Sequence, residues 1–214
     1  MTEVDFEKIK KQAKPFFEEV HGSHGWFHVE RVFNLTKHIC EKEKADFSIA
    51  GTAALLHDLA RKQEDEGLVE DHAVAGAEKS KEILKSLGYG KEFAEKVSYC
   101  IEVHRFSKGI KPETLEAKIL QDADRLDVLG AIGVARVFDY GGRKNRPLYA
   151  DEKIEKNHEY KGQSQSDLIH FYEKILKINP ESFNTETAKE IAKERFEFTE
   201  RFVEKFLKEW RGEE

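Results

Sequence analysis

The side chains best suited to chemistry in this chain interrupt an apolar run. Within Ala53-Ala54-Leu55-Leu56-His57-Asp58-Leu59-Ala60, an imidazole and a carboxylate stand side by side. A buried carboxylate is costly unless it is paired, hydrogen-bonded or bound to a metal. Two readings follow: backbone groups satisfy the pair, or a divalent ion does. Further polar residues intrude on the apolar patterns of distant segments. His28 adjoins a stripe of Val29, Val32 and Thr36, which turns it inward. His104 continues the stripe of Phe93, Val97, Cys100 and Ile101, and Asp122 lies one turn from both Ile119 and Leu126. His72 follows a capping Asp71. Imidazoles and carboxylates gathered from several segments, with water completing the shell, suit a first-row divalent ion, and an oxygen-rich version suits manganese or magnesium. By geometry alone the same groups could instead pair with one another.

Helices must position these residues. Of the 214 residues, 39% are hydrophobic and 36% charged, so the apolar residues form stripes on otherwise solvated segments. Only four prolines interrupt the chain, and no long alternating β-branched run suggests a sheet. The expected fold is therefore all-α, a multi-helix bundle in one domain, with a core over about residues 20–140 and a helical extension over about 141–214.

In chain order, residues 3–20 suggest two short helices broken at Pro15. The turn His21-Gly22-Ser23-His24-Gly25-Trp26-Phe27-His28 then feeds a helix ending near Lys44. Asp46 caps an almost wholly apolar helix over Phe47–Ala60, with His57 and Asp58 on its last turns. Arg61–Glu70 reads as an exposed loop, and Asp71 caps a helix that Gly88 and Gly90 stop. A helix from about Lys91 to Arg105 follows. Pro112 then opens a long helix that runs on through Val137. Tyr140–Gln165 is irregular, and its Arg143, Lys144 and Arg146 either form a lid or phosphate-binding loop or are solvated surface. Helices over Ser166–Ile178 and Thr185–Trp210 complete the chain.

A net charge of −6 argues against a surface that holds nucleic acid stably, while a local basic pocket can still hold phosphate. Cys40 and Cys100 are far apart in apolar helical contexts and read as buried thiols in a reducing compartment. The first residues lack a basic stretch followed by an apolar one, and no segment approaches membrane-spanning length, so a cytoplasmic setting without a membrane partner is expected.

Three ordered segments carry a family resemblance. His24-Gly25-Trp26-Phe27-His28-Val29-Glu30-Arg31-Val32, then Leu55-Leu56-His57-Asp58, then Gln121-Asp122-Ala123-Asp124-Arg125-Leu126-Asp127 resemble the successive motifs of the HD-domain metal-dependent phosphohydrolases. Leu129–Arg136, Tyr140-Gly141-Gly142 and His170–Leu176 resemble the small stand-alone bacterial and archaeal branch, and the likeness covers about residues 20–210.

The resemblance implies that His28, His57, Asp58 and Asp122 hold one divalent ion: manganese by preference, or magnesium, cobalt, nickel, zinc or iron. It implies hydrolysis of a small phosphorylated substrate, a nucleotide or another metabolite, with Asp58 orienting the attacking water. Some relatives place an acidic base three residues after the motif Asp. This chain has Arg61 there, followed by Lys62, and these cations suit phosphate. His72 and His104 match positions used in some members for a second metal or for phosphate, and Arg125 suits phosphate or a structural ion pair. His24 is either a turn residue or a support for a ligand. Asp127 either hydrogen-bonds a ligand histidine or pairs with Arg125 or Lys118. A regulatory domain that binds metal and nucleotide without turnover, and a di-iron oxygenase, are the alternatives; whether the chain forms a homo-oligomer is left open by its sequence.

Overall fold

Helical spacing of apolar residues is realised throughout a computed structural model, which describes residues 4–18, 25–150, 160 and 162–213. Among the described residues all regular structure is helical, in agreement with the expected all-α class. The chain divides into two compact units, one up to Arg125 and one from Leu126.

In the first unit, α1 (Phe6–Ala13) is followed by a 3-10 turn, Lys14–Phe17, where Pro15 ends the regular helix. α2 (Trp26–Glu43) buries His28, Val29, Val32, Thr36, Ile39 and Cys40 at three- and four-residue spacing. It ends at Lys44, which adopts a left-handed conformation. α3 (Phe47–Leu56) is capped by Asp46, which accepts from the Ser48 amide at 2.8 Å, and everything from Ala50 to Leu56 is buried. A helix buried all round is the centre of its unit.

His57 and Asp58 therefore lie in the turn that leaves α3, and not within the helix as its apolar pattern suggests. The segment expected as a loop after them contains α4 (Arg61–Asp65), a short helix with no buried residue. Ion pairs along its own surface, Arg61 with Asp65 at 3.2 Å and Lys62 with Glu66 at 3.8 Å, favour it. α5 (His72–Ser86) starts at Asp71, whose carboxylate accepts from the Ala73 amide at 3.0 Å. α6 (Lys91–Glu102) stops before His104, which is buried in the following turn.

The long helix expected from Pro112 to Val137 is two helices, α7 (Leu115–Leu126) and α8 (Gly130–Arg143). Gly130 has φ +72°, a backbone state that L-residues seldom adopt, so the helix cannot run through. Asp127 consequently sits between helices, not one face of a continuous one.

The second unit holds α8, α9 (Asp167–Glu173) and α10 (Glu186–Trp210). α8 continues through Tyr140 to Arg143, into the stretch read as irregular, and α9 is shorter than the helix expected over Ser166–Ile178, giving way to a 3-10 turn at Ile175–Lys177. Phe138, Phe171, Phe202 and Phe206 form its aromatic cluster. Beside it, Arg146 donates from Nε to the buried Asp167 carboxylate at 2.6 Å. That carboxylate lies against Gly141, where a Cβ would fall 1.9 Å from Oδ1. Burial pushes the Asp167 carboxyl up, against the pull of the Arg146 guanidinium. Removing one partner of such a pair leaves an uncompensated buried group. Arg146→Met should therefore lower stability by about 3–5 kcal/mol, measured as the shift of the urea unfolding midpoint. An unchanged midpoint would show that the pair contributes nothing to this unit.

Candidate metal centre

Asp58 stands at the meeting point of four imidazoles. Its Oδ2 lies 3.8 Å from His28 Nε2 and 3.7 Å from His57 Nε2, while its Oδ1 lies 3.2 Å from His72 Nε2 and 3.9 Å from His104 Nε2. Each of these residues is almost fully buried. His28 comes from the first turns of α2, His57 and Asp58 from the end of α3, His72 from the start of α5, and His104 from the turn after α6. Asp124 enters from α7, with Oδ1 3.3 Å from His28 Nε2. His57 Nε2 and His28 Nε2 are themselves 3.3 Å apart.

Helix ends set the imidazole orientations. His57 donates from Nδ1 to the Ala54 carbonyl at 2.8 Å, and His104 does the same to the Ile101 carbonyl at 2.6 Å. These carbonyls lie in last helical turns, where the helix offers them no intrahelical donor. With Nδ1 carrying the hydrogen, Nε2 keeps its lone pair and faces Asp58. His72 Nδ1 is hydrogen-bonded to the Glu64 carboxylate. Convergent Nε2 lone pairs next to carboxylate oxygens are the donor set of a divalent metal site. His28, His57 and Asp124, and also His57, Asp58 and His104, each bring ligand atoms within 4.8 Å of one another.

Glu64, Asp71 and His72 form a third such group, but cations already serve its carboxylates. Arg105 donates from one nitrogen to Glu64 and to Asp71, both at 2.8 Å, and Lys108 Nζ lies 3.0 Å from Asp71. Burial raises the Asp71 carboxyl, and these hydrogen bonds outweigh it, holding the group well below the usual carboxylate range.

The same balance operates at the centre. Burial opposes ionisation of Asp124, yet the hydrogen bond with His28 holds its carboxyl well below the ordinary value. Burial lowers His104 to about 4, so its ring is neutral near pH 7. At His72 burial acts downward, but hydrogen bonding to Asp58 and Glu64 raises it overall.

Of the four ligands implied by the resemblance, His28, His57 and Asp58 come together here. The carboxylate that joins them is Asp124, and Asp122 enters none of the donor groups found among the described residues. Asp122 and Asp124 are separated by about 200° around a helix, so one core-facing phase cannot select both. Asp122 is fully buried, whereas the Asp124 side chain keeps 30% of its surface exposed. A centre that admits substrate needs the half-exposed edge of the core, and helical phase favours the deeper residue. Asp124 follows Asp122 by two positions within the quoted motif, and that proximity was its one signal in the sequence.

The remaining candidates are dispersed. Arg61 has a buried Nε without a hydrogen-bond partner, and its outer nitrogens reach Asp65 at 3.2 Å and Glu64 at 3.8 Å. Lys62 lies beside it on α4. The Arg125 guanidinium lies over the Phe106 ring, 3.5 Å from its centroid. Asp127 pairs with Arg136, which is neither Arg125 nor Lys118. In the second unit Arg143 pairs with Asp139 at 3.1 Å, Lys144 Nζ lies 5.9 Å from the Tyr140 ring centroid, and Arg146 serves Asp167. His24 lies outside the described residues.

Comparison with known proteins identifies the family. The HD domain model matches residues 25–129. YpgQ of Bacillus subtilis, described as an uncharacterized protein, is 37% identical over 210 residues, covering 96% of this chain and 94% of its own. Among solved structures, an HD-superfamily hydrolase from Bacillus thuringiensis is 35% identical and superposes with a TM-score of 0.75 over 96% of each chain. The structure of Bacillus subtilis YpgQ in complex with ADP is 33% identical, with a TM-score of 0.72 over 95% of this chain and 93% of that one. The chain belongs to the HD-domain family, and every imidazole and carboxylate gathered around Asp58 lies within the segment that the family model matches.

Proposed function

We propose that this protein is a metal-dependent phosphohydrolase that cleaves phosphate ester or anhydride bonds of a nucleotide or another small phosphorylated metabolite. The observation that carries this reading is the set of Nε2 atoms turned toward Asp58 while His57 and His104 have Nδ1 committed to backbone carbonyls. His28, His57, Asp58 and Asp124 would hold the ion, with manganese favoured by the mixed imidazole and carboxylate donors. A divalent ion there would lower the pKa of a coordinated water and neutralise charge developing on a phosphoryl oxygen.

The protein side of the reaction then falls to a few groups. Asp58 orients the attacking water with Oδ2 and is itself held through Oδ1 by His72. The unsatisfied Arg61 Nε is a donor awaiting an oxygen acceptor, and a phosphate supplies one. Arg125, with its guanidinium over the Phe106 ring, is a further cation of a type suited to phosphate. A nucleotide is favoured within the phosphate class because a similar protein, YpgQ, has been solved with ADP.

A two-ion version of the centre is the second reading, supported by Asp58 Oδ1, which faces His72 and His104 while Oδ2 faces the first pair of histidines. Metal content per chain separates the versions, one ion or two.

Two experiments test the assignment. Manganese-loaded protein should hydrolyse at least one member of a panel of nucleoside mono-, di- and triphosphates, and Asp124→Asn should reduce that turnover by about 100-fold or more, since ion-borne charge stabilisation is worth several kcal/mol. Asp122→Asn should keep the metal content of the parent protein; the reverse pattern, with Asp122 essential and Asp124 dispensable, would contradict the site. Arg61→Met should raise KM about tenfold with a smaller change in kcat, as loss of a charged hydrogen bond to ground-state phosphate requires. An unchanged KM would remove Arg61 from substrate binding.

A further inference from the structure

His72 differs from the other imidazoles around Asp58 in how its ring is held. His57 closes the C-terminal end of α3 and His104 follows the end of α6, so each finds a carbonyl three residues earlier in the chain to accept from Nδ1. His72 is the first residue of α5. A helix N-terminus presents N–H groups, and the carbonyls that could accept from an imidazole point the other way along the helix. An acceptor for its Nδ1 has to come from another element, and α4 brings Glu64 to that atom.

Glu64 is in turn fixed from its far side. Arg105 donates from NH1 to Glu64 Oε1 at 2.8 Å and to Asp71 Oδ1 at 2.8 Å. Asp71 is the residue whose carboxylate caps α5, immediately before His72. The contacts close a ring: Asp58 to His72, His72 to Glu64, Glu64 to Arg105, Arg105 to Asp71, and Asp71 through the cap to the helix that carries His72. α4 buries none of its residues, so apolar packing does not explain where Glu64 stands; its charged contacts do. Burial acts to raise the Glu64 carboxyl, and the bonds from His72 and Arg105 overcome it and keep the group ionised as an acceptor.

We propose that Glu64 is a positioning residue of the metal centre: it fixes the His72 ring through Nδ1 so that Nε2 meets Asp58 Oδ1, and Arg105 keeps the Glu64 carboxylate turned to that task. The role rests on the metal-centre reading above. It also gives Glu64 a purpose different from that of a base acting on water, since its oxygens are engaged by His72 and Arg105. Groups that orient metal ligands directly change metal affinity by about 10–100-fold when removed, and Glu64 acts on the ligand Asp58 through His72, at the low end of that range.

Titration of manganese into metal-stripped protein by calorimetry tests this without recourse to turnover. Glu64→Ala should weaken manganese binding about tenfold or more. Glu64→Gln keeps an amide oxygen at the same position and should recover most of that loss, and Glu70→Ala, on the exposed chain before α5, should bind like the parent. Circular dichroism melts of the metal-free proteins confirm that each variant is folded at the titration temperature. Parent-like affinity in folded Glu64→Ala would overturn the role and reduce Glu64 to an ion pair with Arg105. Equal weakening in Glu70→Ala would also overturn it, by tracing the effect to net charge. A parent protein that binds manganese yet hydrolyses no phosphate substrate would refute the proposed reaction and leave the role of Glu64 standing. A parent that binds no divalent ion would refute both.

Discussion

A carboxylate buried beside four imidazoles must be compensated, and that requirement organises the first unit. Asp58 keeps only 4% of its surface exposed. Without partners its ionised form would be expelled from such an environment, and the group would neutralise or the turn would open. The histidines that surround it come from four separate helical segments, so the centre forms only when those segments are packed. The buried residues of α3 serve the same end: a wholly apolar helix terminates where its polar pair begins, and delivers that pair to the middle of the unit.

Helix termini do much of the local work. C-terminal carbonyls of α3 and α6 accept from His57 and His104 and leave Nε2 of each ring facing inward. At the N-terminus of α5 the same service needs a side chain, and charged residues around Arg105 supply and hold it. The two arrangements differ in cost: backbone acceptors come with the helix, whereas the Glu64 network places several charges together and depends on every partner being present.

Much of this was legible in the sequence, for physical reasons that differ from residue to residue. Capping by Asp46 and Asp71, the inward face of α2 and the apolar character of α3 are local properties, and each follows from spacing and residue type. His28, His57 and Asp58 stood out because polar groups in apolar stripes demand an explanation. Asp124 did not, because its place at a half-exposed edge depends on which helices pack against α7 and not on the phase of α7 itself. The turn separating α7 from α8 was hidden for a related reason. Gly130 and Gly133 look like small residues allowing close contact, and the left-handed backbone at Gly130 is set by its surroundings, including the hydrogen bond its amide donates to Thr199 Oγ1 at 3.0 Å. Glu64 was hidden as well, since a short charged segment without apolar residues reads as exposed loop until its tertiary partners are known.

Whether His28, His57, Asp58 and Asp124 hold a divalent ion can be read from anomalous scattering by manganese in crystals grown with the metal. An anomalous peak is expected at coordinating distance from those four side chains, with any second peak between Asp58, His72 and His104. A peak confined to Asp122, or to the carboxylates of Glu64 and Asp71, or no peak near Asp58 under saturating manganese, would contradict it.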